Sequence, residues 1–347
     1  MKVDYIIVGC GLAGISFCEQ LLANNKTFVV FDNNSQQSST VAGGLYNPVT
    51  LKRFTPVWQS KKQLALAIPM YNSIEKRLNV KLDYKVSVRK RFTSLEEQNN
   101  WFAKSDQEGL SDYMSLNIYK NENKSITSQY NFGEVLETGR IDTSLLISEY
   151  KKQLKNKGQL FCESIDYNVI QFNNNSISYK DILTTHIVFA EGFGLKQNPF
   201  FNSLPLQGSK GELITIKAPE LKLDFVLKSS VFIIPLGGSI YRIGSTYDHT
   251  DKTNAITSQA REELLTKLKT LINCDFEVIN QVAGIRPTVK DRRPLVGTHP
   301  KYKNLHVLNG LGTRGVMIGP YAAQQLYNHI EQNSTLDKDL DIARFNL

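Results

Sequence analysis

The sequence predicts an α/β fold in which a doubly wound region is interleaved with an α+β region built on an antiparallel sheet. Three observations lead to this expectation. The chain opens with a buried strand, a glycine turn, a helix and a second buried strand. Glycine-rich turns after buried strands recur at residues 187–194 and 305–315. The short β-branched runs within residues 213–245 are typical of antiparallel strands.

Size and composition fit a folded protein. The 347 residues can bury one large or two ordinary cores, and 41% are hydrophobic while 21% are charged. The formal charge of +8 allows a nucleic-acid partner, an anionic substrate or an ordinary surface, and the basic residues are scattered. The four cysteines form no CxxC pair and the five histidines show no metal-ligand spacing. We therefore expect no metal site and a reducing, cytoplasmic location.

The apolar N-terminus has some features of a secretory signal. The stretch MKVDYIIVGCGLAGISFCEQLLANN begins with a charge and continues as a long apolar run. Asp4 and three glycines interrupt this run, and no small-residue cleavage site ends it. No other stretch approaches the roughly 20 apolar residues that span a bilayer. The segment is therefore predicted to form a strand and a helix, and no membrane association is expected.

Each element follows from a local pattern. Residues 3–8 and 27–31 are β-branched and aromatic runs typical of buried parallel strands, with a helix to about residue 23 between them. Polar residues 33–39 form a loop. Apolar periodicity predicts further helices at residues 61–78, 95–104, 143–155, 261–271 and 320–330. Further strands are predicted at residues 84–89, 164–172, 177–179, 187–194, 213–217, 231–235, 240–245 and 305–309.

Three details refine this outline. Pro69 should break or kink its helix, and Asp142 should cap the helix that follows it. Arg286 lies between Gly284 and Pro287, which predicts a stiff, irregular backbone. Because nucleotide-type segments lie at both ends and in the middle, we expect two discontinuous domains. One comprises residues 1–50, 138–203 and 285–347, and the other comprises residues 51–137 and 204–284.

Residues 9–14 (GCGLAG) match the G-x-G-x-x-G fingerprint in its proper context, after a strand and at the start of a helix. Gly9 allows the tight turn, Gly11 lets the backbone approach a diphosphate, and Gly14 lets helix and strand pack closely. The diphosphate meets the free N–H groups and partial positive charge of the helix start. Leu12 and Ala13 complete the motif. These residues predict a Rossmann-like dinucleotide site.

Two further features bear on which dinucleotide binds. Asp32 ends the second strand, where it can accept hydrogen bonds from ribose hydroxyls and would repel the 2′-phosphate of NADP. The fingerprint alone does not separate NAD from FAD. A second glycine-rich helix start, residues 310–320 (GLGTRGVMIGP), can direct another helix dipole at the ligand. That arrangement suits the electron-rich end of a reduced flavin and favours FAD.

The chain resembles the D-amino-acid oxidase superfamily of FAD enzymes, which includes glycine oxidase, sarcosine oxidase and the FAD domain of a bifunctional tRNA-modifying enzyme. Four motifs along the whole chain carry this resemblance. They are VGCGLAG with Asp32, STVAGGLYNP (39–48), LPLQGSKGE (204–212), and GIRPTVKDRRPLVG (284–297) followed by NGLGTRGVMIGP (309–320). Together these motifs are specific for the superfamily but not for one substrate.

The resemblance implies a set of cofactor contacts. Ser39 and Thr40 would hold the pyrophosphate, and Val169 would meet the adenine through its backbone. The segment beside the isoalloxazine ring would comprise Ala42, Gly43, Gly44 and Leu45. The dinucleotide would also be lined by Ala190 and Gly192, and the pyrimidine end of the flavin would be covered by Gly312, Thr313, Arg314, Gly315 and Val316. No cysteine matches a flavin-attachment position, so FAD is expected to be non-covalent.

The resemblance also implies catalytic and substrate contacts. Arg286 falls where similar enzymes place the arginine that grips a substrate carboxylate, a bidentate pair that the guanidinium suits. Its alternative role is a salt bridge to a core acid. Arg314 is either a second carboxylate contact or a helix-start residue. Arg242 lies near the position of a lysine that promotes reaction with oxygen in sarcosine oxidase-like members. Lys228 and Phe232 replace tyrosines that contact the carboxylate in relatives, so Lys228 either takes over this pairing or faces solvent.

The predicted reaction is oxidation of the C–N bond of an amino acid or N-substituted glycine-like amine, with hydride transfer to the flavin. The flavin is then reoxidised by oxygen or by another acceptor. A second possibility is demodification of carboxymethylaminomethyl-uridine in tRNA, with Tyr46 and the basic loop at residues 51–53 flanking the site. A non-catalytic flavin-binding protein is an alternative of another class. The sequence leaves the substrate, any tRNA partner and the oligomeric state open.

Overall fold

A computed structural model describes residues 1–345. Its helices are α1 (Leu12–Ala23), α2 (Ser60–Leu78), α3 (Leu95–Ser105), α4 (Thr143–Asn156), α5 (Ser258–Lys269) and α6 (Gly315–Gln332). Its strands are β1 (Lys2–Val8), β2 (Phe28–Phe31), β3 (Leu45–Tyr46), β4 (Val49–Thr50), β5 (Thr55–Pro56), β6 (Asp83–Tyr84), β7 (Val88–Arg91), β8 (Met114–Tyr119), β9 (Phe132–Val135), β10 (Gly139–Ile141), β11 (Leu160–Phe161), β12 (Ile170–Phe172), β13 (Ile177–Tyr179), β14 (Ile182–Phe189), β15 (Leu206–Lys217), β16 (Val226–Lys228), β17 (Phe232–Gly237), β18 (Ile240–Gly244), β19 (Glu277–Val289), β20 (Leu295–Thr298) and β21 (Leu305–Asn309). Short 3-10 helices are Tyr167–Val169, Gly192–Gln197 and Ile342–Arg344.

The first large sheet is parallel at its centre. Strands β11, β2, β1, β14 and β21 run in parallel, and β12, β13 and β20 add antiparallel pairs. Alternate residues of β1 enter two separate cores: Tyr5 and Ile7 pack with α1 and α6, while Ile6 and Val8 pack on the opposite face. Burial on both faces explains the unbroken apolar run at the N-terminus. The predicted doubly wound region is confirmed.

The second large sheet has the order β19-β15-β18-β17-β16-β7-β9-β8 and is antiparallel except where β16 meets β7. One face packs against α5 around Ile214, Ile233 and Ile243. Ile234 and Phe232 alternate with those residues and therefore project from the other face. This sheet confirms the predicted antiparallel region. The predicted domain limits stay a prediction, and the one at residue 284 falls inside β19.

One predicted helix cap is confirmed by side-chain geometry, and two other helix predictions are wrong. Asp142 caps α4 by accepting the N–H of Leu145 at 3.1 Å. Pro69 does not break α2, because the carbonyl it frees belongs to Ala65 on the exposed face, where water can bond it. Helix α6 begins at Gly315, five residues before the predicted start at Pro320.

Other differences concern strands and a tolerated proline. The carbonyl freed by Pro320 is that of Val316, which accepts the Tyr71 hydroxyl at 3.0 Å. The strand predicted at residues 164–172 is a 3-10 turn followed by the short β12. Arg286 lies on the regular strand β19, paired with Ser209, and not on irregular backbone. Pro287 is tolerated there because β19 is an edge strand.

No helix in residues 1–345 is both long and apolar enough to cross a membrane.

Candidate functional site

A cavity of about 1500 Å³ lies where the two large sheets meet. The first sheet contributes the turn after β1, the loop after β2, the turn after β14 and the segment before α6. The second sheet contributes residues of β15 to β19 and the loop after β18. The cavity therefore adjoins the carboxyl ends of the parallel strands, which is where doubly wound sheets bind ligands.

Glycines shape the turn from β1 into α1. Gly9 has a φ of +102°, and a side chain there would overlap the carbonyl oxygen of Ala190. A Cβ on Gly14 would overlap the carbonyl oxygen of Gly9, so only glycine lets helix and strand approach this closely. Gly11 precedes α1 without a side-chain cap of its own. The cavity lining at this point comprises Gly9, Gly11, Leu12 and Ala13.

Asp32 lines the same cavity and is already engaged by protein groups. One carboxylate oxygen accepts the N–H of Cys10 at 2.6 Å, which fixes the turn after β1. The other accepts the N–H of Asn34 at 2.9 Å and lies 2.7 Å from the ammonium of Lys151. Asp32 therefore braces the glycine turn, and its remaining lone pairs adjoin the cavity. Sequence reasoning missed Lys151 because it lies on the distant helix α4.

The loop after β2 supplies one wall. Ser39 accepts the N–H of Leu12 at 3.2 Å and so joins this loop to the helix start. Gly44 has a φ of +71°, and a Cβ there would overlap the carbonyl oxygen of Ile141. Thr40 is exposed and does not line the cavity, and its pyrophosphate contact stays a prediction. The lining residues of this wall include Ser39, Ala42, Gly43, Gly44 and Leu45.

The segment after β14 supplies another wall of the cavity. Ala190 and Gly192 line it, and their contact with the dinucleotide stays a prediction. Val169 does not line the cavity, because it ends a 3-10 turn that leaves it partly exposed at 36%. Ile165 and Tyr167, a few residues earlier, line the cavity instead. The predicted contact between the Val169 backbone and adenine stays a prediction.

Glu191 is a cavity-lining acid that the sequence analysis did not identify. Its carboxylate accepts the hydroxyl of Tyr167 at 2.5 Å and the side-chain amide of Asn198 at 2.8 Å. Burial raises the pKa of Glu191 to about 7, although both hydrogen bonds act in the opposite direction. The sequence does give one indication of Glu191. It lies two residues after the end of the buried strand β14, at the sheet edge where ligands bind.

The start of α6 closes the cavity opposite these walls. Gly312 has a φ of +59°, and its N–H donates to the carbonyl of Pro287 at 2.9 Å. Arg314 is the residue that precedes α6, and it donates to the carbonyl of Asn47 at 2.8 Å. Burial lowers the pKa of Arg314. It is therefore a helix-start residue that also borders the cavity. The lining residues of this segment are Gly312, Thr313, Arg314, Gly315 and Val316.

Arg286 faces the cavity from β19. Its guanidinium donates to the hydroxyl of Ser245 at 2.7 Å and to the carbonyl of Thr246 at 3.3 Å, and it lies 4.6 Å from the ring of Tyr247. A Cβ on Gly211 would overlap this guanidinium, so the glycine makes room for it. Burial lowers the pKa of Arg286, and Tyr247 opposes that effect. Within residues 1–345 all its hydrogen bonds go to neutral groups, which contradicts the alternative of a salt bridge to a core acid.

Two residues with a predicted catalytic or substrate-binding role, Tyr46 and Arg242, lie outside the cavity lining. Tyr46 is 2% exposed, and its hydroxyl donates to Asp83 at 2.7 Å and accepts from Lys85 at 2.9 Å. Strand β3 turns the Tyr46 side chain into the protein core, so it cannot contact substrate. Arg242 lies on β18 and pairs with Ile234 of β17, but it does not reach the lining. Its buried Nε has no hydrogen-bond partner in residues 1–345.

Lys228 lines the cavity and does not face open solvent. It ends β16 opposite Phe232 of β17, and its ammonium lies 4.5 Å from the centre of the Phe232 ring. Burial lowers the pKa of Lys228 to about 8, and the positive charges of Lys90 and Lys267 add to this effect. Within residues 1–345 its ammonium has no hydrogen bond or ion pair.

The cavity fits a large dinucleotide. The helix start has no cap from Gly11 itself, and Ser39 accepts the N–H of Leu12, which leaves the next N–H groups of the first turn for phosphate oxygens. At Gly43 a Cβ would lie 2.9 Å from the side-chain end of Ile234, which would have to shift to make room for it. All four cysteines lie in the described residues, and none lines the cavity.

Three curated relatives share parts of this sequence. A glycine oxidase of Geobacillus kaustophilus is 28% identical over 150 residues, 42% of this chain and 39% of the relative. A D-amino acid dehydrogenase of Helicobacter pylori is 26% identical over 253 residues, 67% of this chain and 60% of the relative. The tRNA 5-methylaminomethyl-2-thiouridine biosynthesis bifunctional protein MnmC of Legionella pneumophila is 23% identical over 197 residues, 48% of this chain and 30% of the relative. Each match therefore spans less than two thirds of the relative.

Solved structures share the fold over the whole chain. The crystal structure of a Geobacillus kaustophilus glycine oxidase matches with a TM-score of 0.81 at 18% identity, and the match covers 100% of this chain and 98% of that one. The family model described as FAD dependent oxidoreductase matches residues 4–328, which include both large sheets and every wall of the cavity. The chain belongs to the FAD dependent oxidoreductase family that is named after D-amino-acid oxidase.

Proposed function

We propose that the chain oxidises the C–N bond of an amino acid or N-substituted glycine-like amine, with FAD bound non-covalently in the cavity. The observation that carries the proposal is Arg286, a cation that faces the cavity and, in the described part of the chain, bonds only neutral groups. A guanidinium in this position suits a carboxylate, which it can bind through two parallel hydrogen bonds. The names of the glycine oxidase and D-amino acid dehydrogenase relatives support this class of substrate.

The residues that would hold FAD divide the cavity into two ends. The helix start at Gly11 would receive the diphosphate, and Asp32 would receive ribose hydroxyls. The turn at Ala190 and Gly192 would line the adenosine half. The backbone at residues 42–45 and the start of α6 would border the ring system. The absence of any cysteine from the lining supports non-covalent binding.

Bound FAD supplies an acceptor for the hydride that leaves the carbon next to the amine nitrogen. The chain itself binds and orients the substrate. Arg286 would hold the carboxylate, with Ser245 and Tyr247 fixing the guanidinium in place. Phe232 and Ile234 line the same part of the cavity with apolar surface and exclude water from the reacting carbon. Positioning of this kind can contribute several kcal/mol to catalysis.

Anaerobic bleaching of the visible flavin absorption tests this function. The panel holds glycine, sarcosine, other N-substituted glycines, D-amino acids and proline. We expect at least one of them to reduce the flavin, and Arg286→Ala to slow that reduction by ~100-fold or more, because a charge-assisted bidentate contact is lost. Arg261→Ala, which removes an exposed arginine of α5, serves as the matched control and should be unaffected. A purified yellow protein that no member of the panel bleaches would contradict amine oxidation.

A second candidate is demodification of carboxymethylaminomethyl-uridine in tRNA. It is favoured by the MnmC relative and by exposed Lys52, which lines the cavity next to exposed Arg53. Phosphate contacts by such lysines make binding fall steeply as salt rises. Bleaching by tRNA that carries the modified uridine, with no bleaching by free amino acids, would select this function. Bleaching by free amino acids alone would exclude it.

A further inference from the structure

The part of the cavity that faces the second sheet is cationic. Lys228, Arg286 and Arg314 line it, and within residues 1–345 none of the three forms an ion pair with a carboxylate. The carboxylates of the lining are Asp32, Glu163 and Glu191, which all lie in segments of the first sheet or its connections. The charge on the substrate side therefore lacks a protein counter-ion and suits an anionic ligand.

Lys228 is separate from the carboxylate site at Arg286. Arg286 bonds Ser245, which follows Gly244 on β18. Gly244 pairs with Phe232 on β17, and Phe232 pairs with Lys228 on β16. Two strand spacings of about 4.8 Å each therefore place Lys228 roughly 10 Å from the Ser245 side of the cavity. The flexible lysine stem and a small ligand can together close a gap of this size.

The surface between the two cations is apolar. The Phe232 ring lies under the Lys228 ammonium at 4.5 Å, and Phe232 and Ile234 both line the cavity. A ligand that reaches both cations must cross this surface with its uncharged middle portion. A second anionic group would also restore to Lys228 the interactions that its partial burial removes from water.

We propose that the substrate is an amine with two carboxylates, one held by Arg286 and the other by Lys228. This inference rests on the proposed amine oxidation and names its substrate class. The amine lies between the two acidic groups, over Phe232 and Ile234, so that the bond to be oxidised is fixed from both ends. An imino diacid and an amino dicarboxylic acid both meet this description. Sarcosine or glycine would engage Arg286 alone.

Matched pairs of small acids test the proposal. Iminodiacetate and sarcosine differ by one carboxylate, and anaerobic flavin bleaching gives the dissociation constant and reduction rate of each. Glutarate and butyrate are their counterparts without an oxidisable nitrogen, and calorimetry with the purified holoenzyme measures their binding without turnover. We expect the diacid of each pair to bind ~10- to 100-fold more tightly, the range of one charge-assisted contact.

Variants of Lys228 separate this subsite from general effects. Lys228→Met should weaken iminodiacetate and glutarate by ~10- to 100-fold and leave sarcosine and butyrate within about twofold. Lys228→Arg should restore most of the loss. Lys217→Met, which removes an exposed lysine at the end of β15, is the matched control and should change neither acid of a pair.

Three outcomes have distinct meanings. Equal binding of both members of a pair to the wild-type protein, or equal weakening of both by Lys228→Met, would overturn the second carboxylate site and leave amine oxidation standing. No bleaching by any amine would overturn the proposed function. If glutarate still bound in a Lys228-dependent manner in that case, the anion site would stand and only its link to oxidation would fail.

Discussion

Arg286 is the residue from which the class of substrate is inferred. A guanidinium placed beside Ser245 and Tyr247 loses much of its water and gains only neutral partners. Because arginine does not lose its proton in this range, the cation stays and favours an anionic ligand. Lys228 is in a related position, but its pKa of about 8 lets it lose charge where Arg286 keeps it. Arg286 therefore stays charged, whereas Lys228 loses its charge above about pH 8. A bound anion stabilises the charged form of both side chains.

Glu191 leads to a pH-dependent prediction. Its folded-state pKa of about 7 lies above the ordinary value of 4.5, so burial penalises the carboxylate form. The unfolded chain therefore releases this proton first as pH rises, and the contribution of Glu191 to stability falls between about pH 4.5 and 7, by ~3 kcal/mol. Denaturant unfolding of wild type and Glu191→Gln at several pH values measures this, and the stability of wild type relative to the variant should fall across that interval.

A second variant makes the test of Glu191 specific. The Tyr167 hydroxyl donates to the carboxylate, and this bond lowers the pKa of Glu191 against the effect of burial. Tyr167→Phe should therefore extend the fall in stability to higher pH. A difference between wild type and Glu191→Gln that does not change with pH would contradict the assigned cause.

At the scale of elements, the junction of β1 and α1 decides whether the cofactor site forms. A Cβ on Gly14 would overlap the carbonyl of Gly9, so Gly14→Ala must push the helix away from the strand. The helix N–H groups and the turn at Gly9 would then no longer meet at the diphosphate position. We expect Gly14→Ala to be purified with little or no visible flavin absorption.

The control for this change is Gly158→Ala in the turn after α4. Gly158 also has a positive φ, of +65°, but a Cβ there meets no atom within 4 Å. That variant should lose ~1 kcal/mol of stability from backbone strain and keep its flavin. Full flavin content in Gly14→Ala would show that the close contact of β1 and α1 is not needed for binding.

At the scale of the whole molecule, the chain passes back and forth between two sheets and builds one cavity at their junction. The strands of the first sheet come from both ends and the middle of the chain, and those of the second lie between them. The N-terminal β1-α1-β2 unit was predictable because burial on both faces and a glycine motif act locally. The roles of residues 42–45 and 312–316 were expected only from the resemblance to the D-amino-acid oxidase superfamily, and their contacts with the cofactor stay a prediction.

The features that could not be predicted from the sequence depend on contacts between residues far apart in the chain. Tyr46 follows the glycine motif at residues 42–45, yet its hydroxyl donates a hydrogen bond to Asp83 of β6. Pro287 suggested irregular backbone, but its place on an edge strand removes the penalty. Ser245 and Tyr247 orient Arg286 only because β18 ends beside β19 across β15. None of these pairings has a local signal in the sequence.

Arg286 is proposed to bind the carboxylate of the amine substrate. The most direct measurement is the anaerobic rate of flavin reduction by the best amino acid of the panel and by its amide, in wild type and in Arg286→Ala. We expect the substitution to slow reduction by the acid ~100-fold or more and hardly to change reduction by the amide, because only the acid presents an anion to the guanidinium. Equal losses for acid and amide would contradict it.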